Sequence, residues 1–436
     1  SSAASDVYKR QLPTVAAQLI NMLYNIVDRM YIGHIKDVGA LALTGVGVCM
    51  PLIMIISAFA ALVGNGGAPR ASIYMGKKDT DAAQKILGNC FSLQIIISII
   101  LTIILLIGNK TFLLAFGASE NTISYAVNYM NIYAIGTIFV QLTLGMNAFI
   151  TAQGFAKTGM LSVLIGAVAN IILDPVFIFG MNMGVRGAAL ATIISQALSC
   201  IWVLSFLFGK KTFLKIKPEN LRLHAKIILP CVALGSSLFI MQASESIISV
   251  CFNSSLLKYG GDIAVGAMTI LTSVMQFAML PLQGLGQGAQ PIMSYNYGAR
   301  ESSRVRSIYQ TALYIIILIL LAGTVLCLAV PGQLIHLFSD NTETIVAGRR
   351  ALRIICIGFA VSGVSVVTAG ALEAMGKGIH SLLISCMRYI VLILPLAFIF
   401  SHFFGVNGVW HAFWITEVIT AVTSGLIFYH QYRAIA

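Results

Sequence analysis

Residues 11–33 read QLPTVAAQLINMLYNIVDRMYIG, an apolar run with one carboxylate, Asp28, near its far end. A second run of this kind, Gly159–Gly180, carries Asp174. A helix of about 20 such residues crosses a bilayer. Leaving an unpaired acid in hydrocarbon costs at least about 2.5–3.5 kcal/mol on insertion scales. Two acids therefore imply a polar, ion-handling pocket inside a membrane bundle.

The rest of the chain has the same character. Of 436 residues, 58% are hydrophobic and 10% are charged, against roughly 25% charged in soluble domains. The apolar runs are continuous rather than alternating, which selects helices over a barrel. The net charge of +12 lies mostly in short loops, so it orients the chain in a membrane and does not point to nucleic acid. Eight cysteines are scattered without a CxxC pair and read as small core residues. Ser1–Arg10 are polar, unlike the apolar run that begins at Gln11, and read as a non-native leader.

Apolar runs of spanning length fall near 11–33, 40–65, 86–108, 122–145, 158–181, 187–208, 225–256, 263–292, 307–331, 345–368, 379–402 and 408–430. The polar stretch Gly209–Lys226 divides them six and six. Four in-order echoes link the sets. Gly66-Gly67-Ala68-Pro69 returns as Gly288-Ala289-Gln290-Pro291, with Tyr74-Met75-Gly76-Lys77-Lys78 returning as Asn296-Tyr297-Gly298-Ala299-Arg300. Ala152-Gln153-Gly154 returns as Ala374-Met375-Gly376, Gly184-Val185-Arg186-Gly187 as Gly405-Val406-Asn407-Gly408, and Leu12-Pro13 as Leu229-Pro230. The offsets run from 217 to 222. The expected fold is an all-α membrane protein of twelve transmembrane helices, two six-helix bundles in a parallel 6+6 repeat around a central cleft. The expected domains are 1–10 (leader), 11–208 (N-terminal lobe), 209–226 (cytoplasmic linker) and 227–436 (C-terminal lobe). With the N-terminus inside, inner loops carry 16 Lys and Arg and outer loops seven, which places both termini in the cytoplasm of a multi-pass inner (plasma) membrane protein.

On this topology Asp28, Asp174 and Thr192 all lie roughly 8–10 Å below the outer surface at 1.5 Å per residue. Asn170 and Asp174 are four apart and share a helix face, and Gln18, Asn21, Asn25 and Asp28 form one stripe. These oxygens suit Na⁺, or two close carboxylates can share a proton. A single Asn or Thr in such a run more often serves as glue between helices, but two ionisable acids together point to a site. The repeat places Glu245 opposite Asp28, yet Leu394, Ile390 and Phe413 opposite Asp174, Asn170 and Thr192. The site is thus expected in the N-terminal half alone. Glu245 reads either as a substrate counter-charge or as a partner for Arg388 or the backbone. Met50, Met54, Met241, Met275 and Met279 are candidates for an adaptable cavity wall. Prolines at 13, 51, 175, 281 and 395 mark bendable points. No GxxxxGK[ST] loop is present, so ATP is not the fuel, and nothing at suitable spacing supports an enzyme.

Three segments carry a resemblance: Leu12-Pro13 with Asn25-Ile26-Val27-Asp28-Arg29-Met30-Tyr31-Ile32-Gly33, Asn170-Ile171-Ile172-Leu173-Asp174-Pro175, and Gly187-Ala188-Ala189-Leu190-Ala191-Thr192. In this order they resemble the multidrug and toxic compound extrusion (MATE) transporters over Gln11–Arg433. The resemblance implies export of organic cations or drugs in exchange for Na⁺ or H⁺. It implies a cation site at Asp28, Asn170, Asp174 and Thr192, with Pro13 as the hinge of the first helix. Some members also use acids in the seventh and tenth helices. Glu245 matches the first, but the tenth run has no acid after Glu343 at its edge, which favours the N-terminal site. The expected protein is a monomeric antiporter working by alternating access, with no cofactor besides the coupling ion. A lipid-linked precursor or polysaccharide flippase of the same superfamily is the alternative. That alternative calls for several cavity-facing cations, whereas only Arg29 and Arg388 read as intramembrane, against the three acids Asp28, Asp174 and Glu245.

Overall fold

Every one of the twelve apolar runs is helical. A lipid-embedded segment must satisfy its own backbone polar groups, and a helix does so within one run. The computed structural model describes residues 2–298, 300–375 and 377–434. The echo residues Ala299 and Gly376 lie outside them. In chain order the helices are α1 (Ser2–Gly33), α2 (Gly39–Gly76), α3 (Thr80–Ala115), α4 (Ile123–Ile135), α5 (Thr137–Ala152), α6 (Ala156–Pro175), α7 (Val185–Phe208), α8 (Ala225–Gly298), α9 (Ser302–Ala329), α10 (Pro331–His336), α11 (Thr342–Ile355), α12 (Phe359–Ala374), α13 (Gly378–Cys386), α14 (Leu394–Phe404) and α15 (Val406–Arg433). Wider π turns follow α6 at Val176–Gly180 and join α13 to α14 at Met387–Ile393. Pro175 and Pro395, 220 residues apart, sit beside these turns, where a missing N–H loosens the hydrogen-bond ladder.

Among the described residues, nine helical segments are long and apolar enough to cross a membrane, or ten if the bent pair α4–α5 is one span. α1 is not one of them, because the polar stripe that makes it a site candidate also lowers its mean hydropathy. α3 shows the inside-out pattern of a lipid-facing helix. Ile99, Ile103 and Ile107 are exposed, while Gln94, Ser98 and Asn109 are buried.

The repeat is visible in local geometry. The fourth run bends by 57° at Gly136, where a Cβ would lie 2.0 Å from Ile193 Cδ1. The tenth run breaks at Cys356–Gly358, and a Cβ on Gly358 would lie 3.0 Å from Trp414 Cα. These two contacts are 221–222 residues apart on both sides. Gly184 and Gly405 start α7 and α15 at φ 59° and 67°, a conformation glycine adopts without steric cost. Gly261, at φ 65°, divides α8 into two arms, and its repeat counterpart is Gly39 at the start of α2.

Contacts group the chain into two compact units, Ser1–Val250 and Cys251–Ala436. Residues 225–250 of α8 pack within the first unit by bare backbone. A Cβ on Gly66 would lie 2.0 Å from Cys231 O, and one on Gly235 would lie 2.0 Å from Leu62 O. Ser246 Oγ donates to Pro51 O. Elsewhere in this unit, buried amides act as glue: Gln94 Nε2 donates to Ala60 O and Gln141 Nε2 to Ile56 O. α2 and α5 meet where Gly64 faces Gly145, whose Cα would be 2.7 Å from a Cβ on Gly64. Backbone cannot yield as a side chain does, so Gly64→Val should lose roughly 1–3 kcal/mol by overpacking. A thermal unfolding scan of the purified protein should show a lowered midpoint, and an unchanged midpoint would remove this contact from the packing account.

Candidate ion site and cavity

The stripe on α1 faces a cavity of about 1210 Å³ in the first unit. Gln18, Asn21, Asn25 and Asp28 line it from α1, as their 3–4 spacing requires. α2 contributes Met50, Ser57 and Asn65, α4 contributes Tyr129 and Tyr133, and α7 contributes Thr192 and Gln196. Gln242 closes it from the first arm of α8. Its only charged lining residues among those described are Asp28 and Arg29. The wall is otherwise amide, phenol, hydroxyl and apolar, a surface that fixes few ligands tightly and accommodates many.

The acid pair adjoins this wall, with Asp28 forming part of it. Asp28 and Arg29 are nearly buried, and Asn170 and Asp174 on α6 are fully so. The carboxyl groups of Asp28 and Asp174 come within hydrogen-bonding reach of each other. Ionised carboxylates cannot donate, and among the described residues these oxygens have no partner: Asp28 Oδ1, both oxygens of Asp174, and Asn170 Oδ1. Four buried acceptors without a donor form a costly arrangement. One proton or one hard cation between them would satisfy it. Thr192 stands close by on α7. Its hydroxyl donates to Ala188 O at 3.0 Å, and its side chain also meets Tyr129.

Tyrosines complete the surroundings. The Tyr24 hydroxyl meets the Gln196 side chain, and Tyr129 meets Thr192. Tyr129 and Tyr133, one turn apart on α4, stack with centroids 6.1 Å apart. Arg29 lies near both Asp28 and Tyr129. Tyr24, Tyr129, Tyr133 and Gln196 are absent from the candidates that the sequence supplies. The i, i+4 spacings of the tyrosine pair and of Thr192 with Gln196 were the available signal.

The other candidates scatter. Asn25 and Met50 line the cavity, whereas Met54 and Glu245 are not among its described lining residues. Glu245 is half-buried in the first unit, and Met275 is half-buried in the second. The side chain of Met241 lies outside the described residues. Pro13 lies inside α1, which runs through it unbroken. Arg388 lies on the π turn Met387–Ile393 between α13 and α14. Its guanidinium binds Glu417 on α15, an acid outside the sequence-derived candidates. Their side chains are 17% and 11% exposed.

A duplicated helical membrane fold that holds a buried carboxylate pocket beside a polar cavity defines a membrane transporter. The family model MatE matches residues 13–176 and again residues 237–399. This chain belongs to the MatE family, and the double match shows the internal repeat a third way. The chain is similar to the multidrug export protein MepA of Staphylococcus saprophyticus, 24% identical over 98% of this chain and 94% of that protein. MepA of Staphylococcus haemolyticus is 25% identical over 96% and 91%. Among solved structures, the fold matches the inward-facing conformation of a multidrug resistance MATE family transporter of the MOP superfamily. The TM-score is 0.89 at 24% identity, over 97% of this chain and 98% of that one. A MOP superfamily transporter from Pyrococcus furiosus, described as having a binding pocket of reversed polarity, matches with TM-score 0.76 at 24% identity over 99% and 96%.

Glu417 yields a direct test of this half-buried pairing. Glu417→Gln leaves Arg388 buried without its counter-charge, so stability should fall by about 3–5 kcal/mol. Replacing both partners with Met should restore most of it, because a paired hydrophobic swap leaves no orphan charge. Chemical unfolding of the single and double variants in detergent measures both, and an equal loss in the double variant would refute the coupling.

Proposed function

We propose that this protein exports organic cations across the cell membrane in exchange for Na⁺ or H⁺, with both termini in the cytoplasm. The observation that carries the reading is the set of unpaired buried oxygens on Asp28, Asp174 and Asn170. An ion entering from outside would bind between the carboxylates, with Thr192 as a further oxygen ligand. Asp28 belongs both to this set and to the cavity wall. Binding the ion therefore removes the negative charge that a cationic drug in the cavity would meet. Ion and drug compete for states of one protein, and each lowers the other's affinity by the same factor. Alternating access follows when the neutral pocket and the charged pocket favour different arrangements of α1.

The names of the staphylococcal relatives support drugs as cargo. The amide and tyrosine wall fits aromatic cations of varied shape. A flippase for anionic lipid-linked precursors would want several cations on the wall, and Arg29 beside Asp28 offers one that is already balanced. The all-oxygen donor set suits Na⁺ as well as a proton.

Ethidium efflux from loaded cells or vesicles tests the coupling. At fixed pH, a Na⁺ gradient should accelerate efflux if Na⁺ is the ion, and a protonophore should abolish it if H⁺ is. Efflux indifferent to both treatments would defeat the antiport reading. Asp28→Asn and Asp174→Asn should each lower gradient-driven efflux at least tenfold, about 1.4 kcal/mol or more of lost coupling. Asn170→Ala should raise the concentration of ion needed rather than the maximal rate. Sidedness is read separately, by labelling single cysteines placed at 211 and 258 in intact cells. Only position 258 should react with an impermeant thiol reagent.

A further inference from the structure

The segment between α7 and α8 was expected only as a basic connector. It has a fixed conformation with two faces. Thr212, Leu214 and Ile216 are buried, while Lys211, Phe213 and Lys217 point outward and Lys215 is half-exposed. Gln153 holds the buried face. Its Oε1 accepts from Thr212 Oγ1, Phe213 N and Leu214 N at 3.0, 2.9 and 3.1 Å. Asn89 on α3 holds the other end, donating to Asn220 O and accepting from His224 N. Ser92 Oγ donates to Leu221 O at 2.6 Å.

The outward face is equally specific. Phe213 is 61% exposed, and its ring lies 5.2 Å from Phe155, which lies 5.0 Å from Phe206. Phe208 and Trp202 are exposed nearby along α7, and the Trp202 indole N–H donates to Thr158 O. Trp, with an apolar ring and a polar N–H, is enriched at the head-group level of a bilayer, and Trp202 lies in the last two turns of α7. Lys210, Lys211, Lys215 and Lys217 therefore stand at the depth of lipid phosphates. Among the described residues, none of the four is paired with a carboxylate. A connector that only oriented the chain would need the lysines, but neither the three-fold anchor at Gln153 nor an outward phenylalanine.

We propose that the outer face of residues 210–217 is a binding site for anionic phospholipid head groups. Phe213 enters the interface between head group and acyl chain, and Lys211, Lys215 and Lys217 contact the phosphate. The pinned backbone presents them without the ordering cost a loose loop would incur. The leaflet involved rests on the sidedness proposed above, but the site does not.

Binding of phosphatidylglycerol and phosphatidylcholine to the purified protein in detergent, followed by native mass spectrometry, tests this without any transport step. A failure here is therefore separate from a failure of the export reading. The wild type should bind phosphatidylglycerol at least tenfold more tightly than phosphatidylcholine. The triple variant K211Q/K215Q/K217Q should lose that preference, and a control with equal charge removed, K77Q/K78Q/K85Q, should keep it. Gln153→Ala, which frees the loop but keeps the lysines, should weaken the preference. Retention of the preference in the triple variant, or equal loss in the control, would overturn the proposal. A photoactivatable phosphatidylglycerol on the wild type serves if a variant does not fold. Its cross-links should fall in the peptide spanning 210–217, and cross-links spread evenly over the basic loops would also overturn the site.

Discussion

Two carboxylates that face each other out of water cannot both stay charged unless something positive lies between them. That constraint shapes the first unit. α1 and α6 are drawn together at Asp28 and Asp174, and Asn170 adds an oxygen from the same helix face. The cavity opens on one side of the pair, so the charge that must be cancelled inside is also a charge that a ligand can sense. A structural ion pair would need no such opening.

Close packing supports that pocket by removing side chains where helices cross. Gly64 against Gly145, Gly136 against Ile193 and Gly66 against Cys231 all bring backbone within reach of a neighbour. Amides then fill the polar gaps, as Gln94 and Gln141 do against α2. In lipid this is the expected currency of helix association, since apolar side chains gain little by leaving hydrocarbon tails for one another. The bend at Gly136 turns Tyr129 and Tyr133 toward the cavity on one side and lets α5 pack on α2 on the other.

Much of this was legible in the sequence because it depends on local pattern. Run length gave the helices, the 3–4 stripe of Gln18, Asn21, Asn25 and Asp28 gave a wall, and Asn170 with Asp174 gave a shared face. What stayed hidden depends on which helices meet. Glu417 was overlooked since it sits in a run whose other polar residues are small, and only folding brings it to Arg388. The 57° bend at Gly136 has no local signature beyond one glycine among several. The packing of the first arm of α8 with the N-terminal helices arises from glycine contacts at Gly66 and Gly235 that no single run announces.

The pairing of Arg388 with Glu417 gives the two repeats different relations to the medium. α7 and α15 are counterparts, and Gln196 in one stands where Glu417 stands in the other. In the second unit the acid carries its own tethered cation, a guanidinium that cannot diffuse away. In the first, Asp28 and Asp174 face each other beside the cavity, with Arg29 near Asp28. Duplication followed by this divergence yields two halves of one scaffold with different charge: a closed ion pair in one, and an acid pair beside a polar cavity in the other.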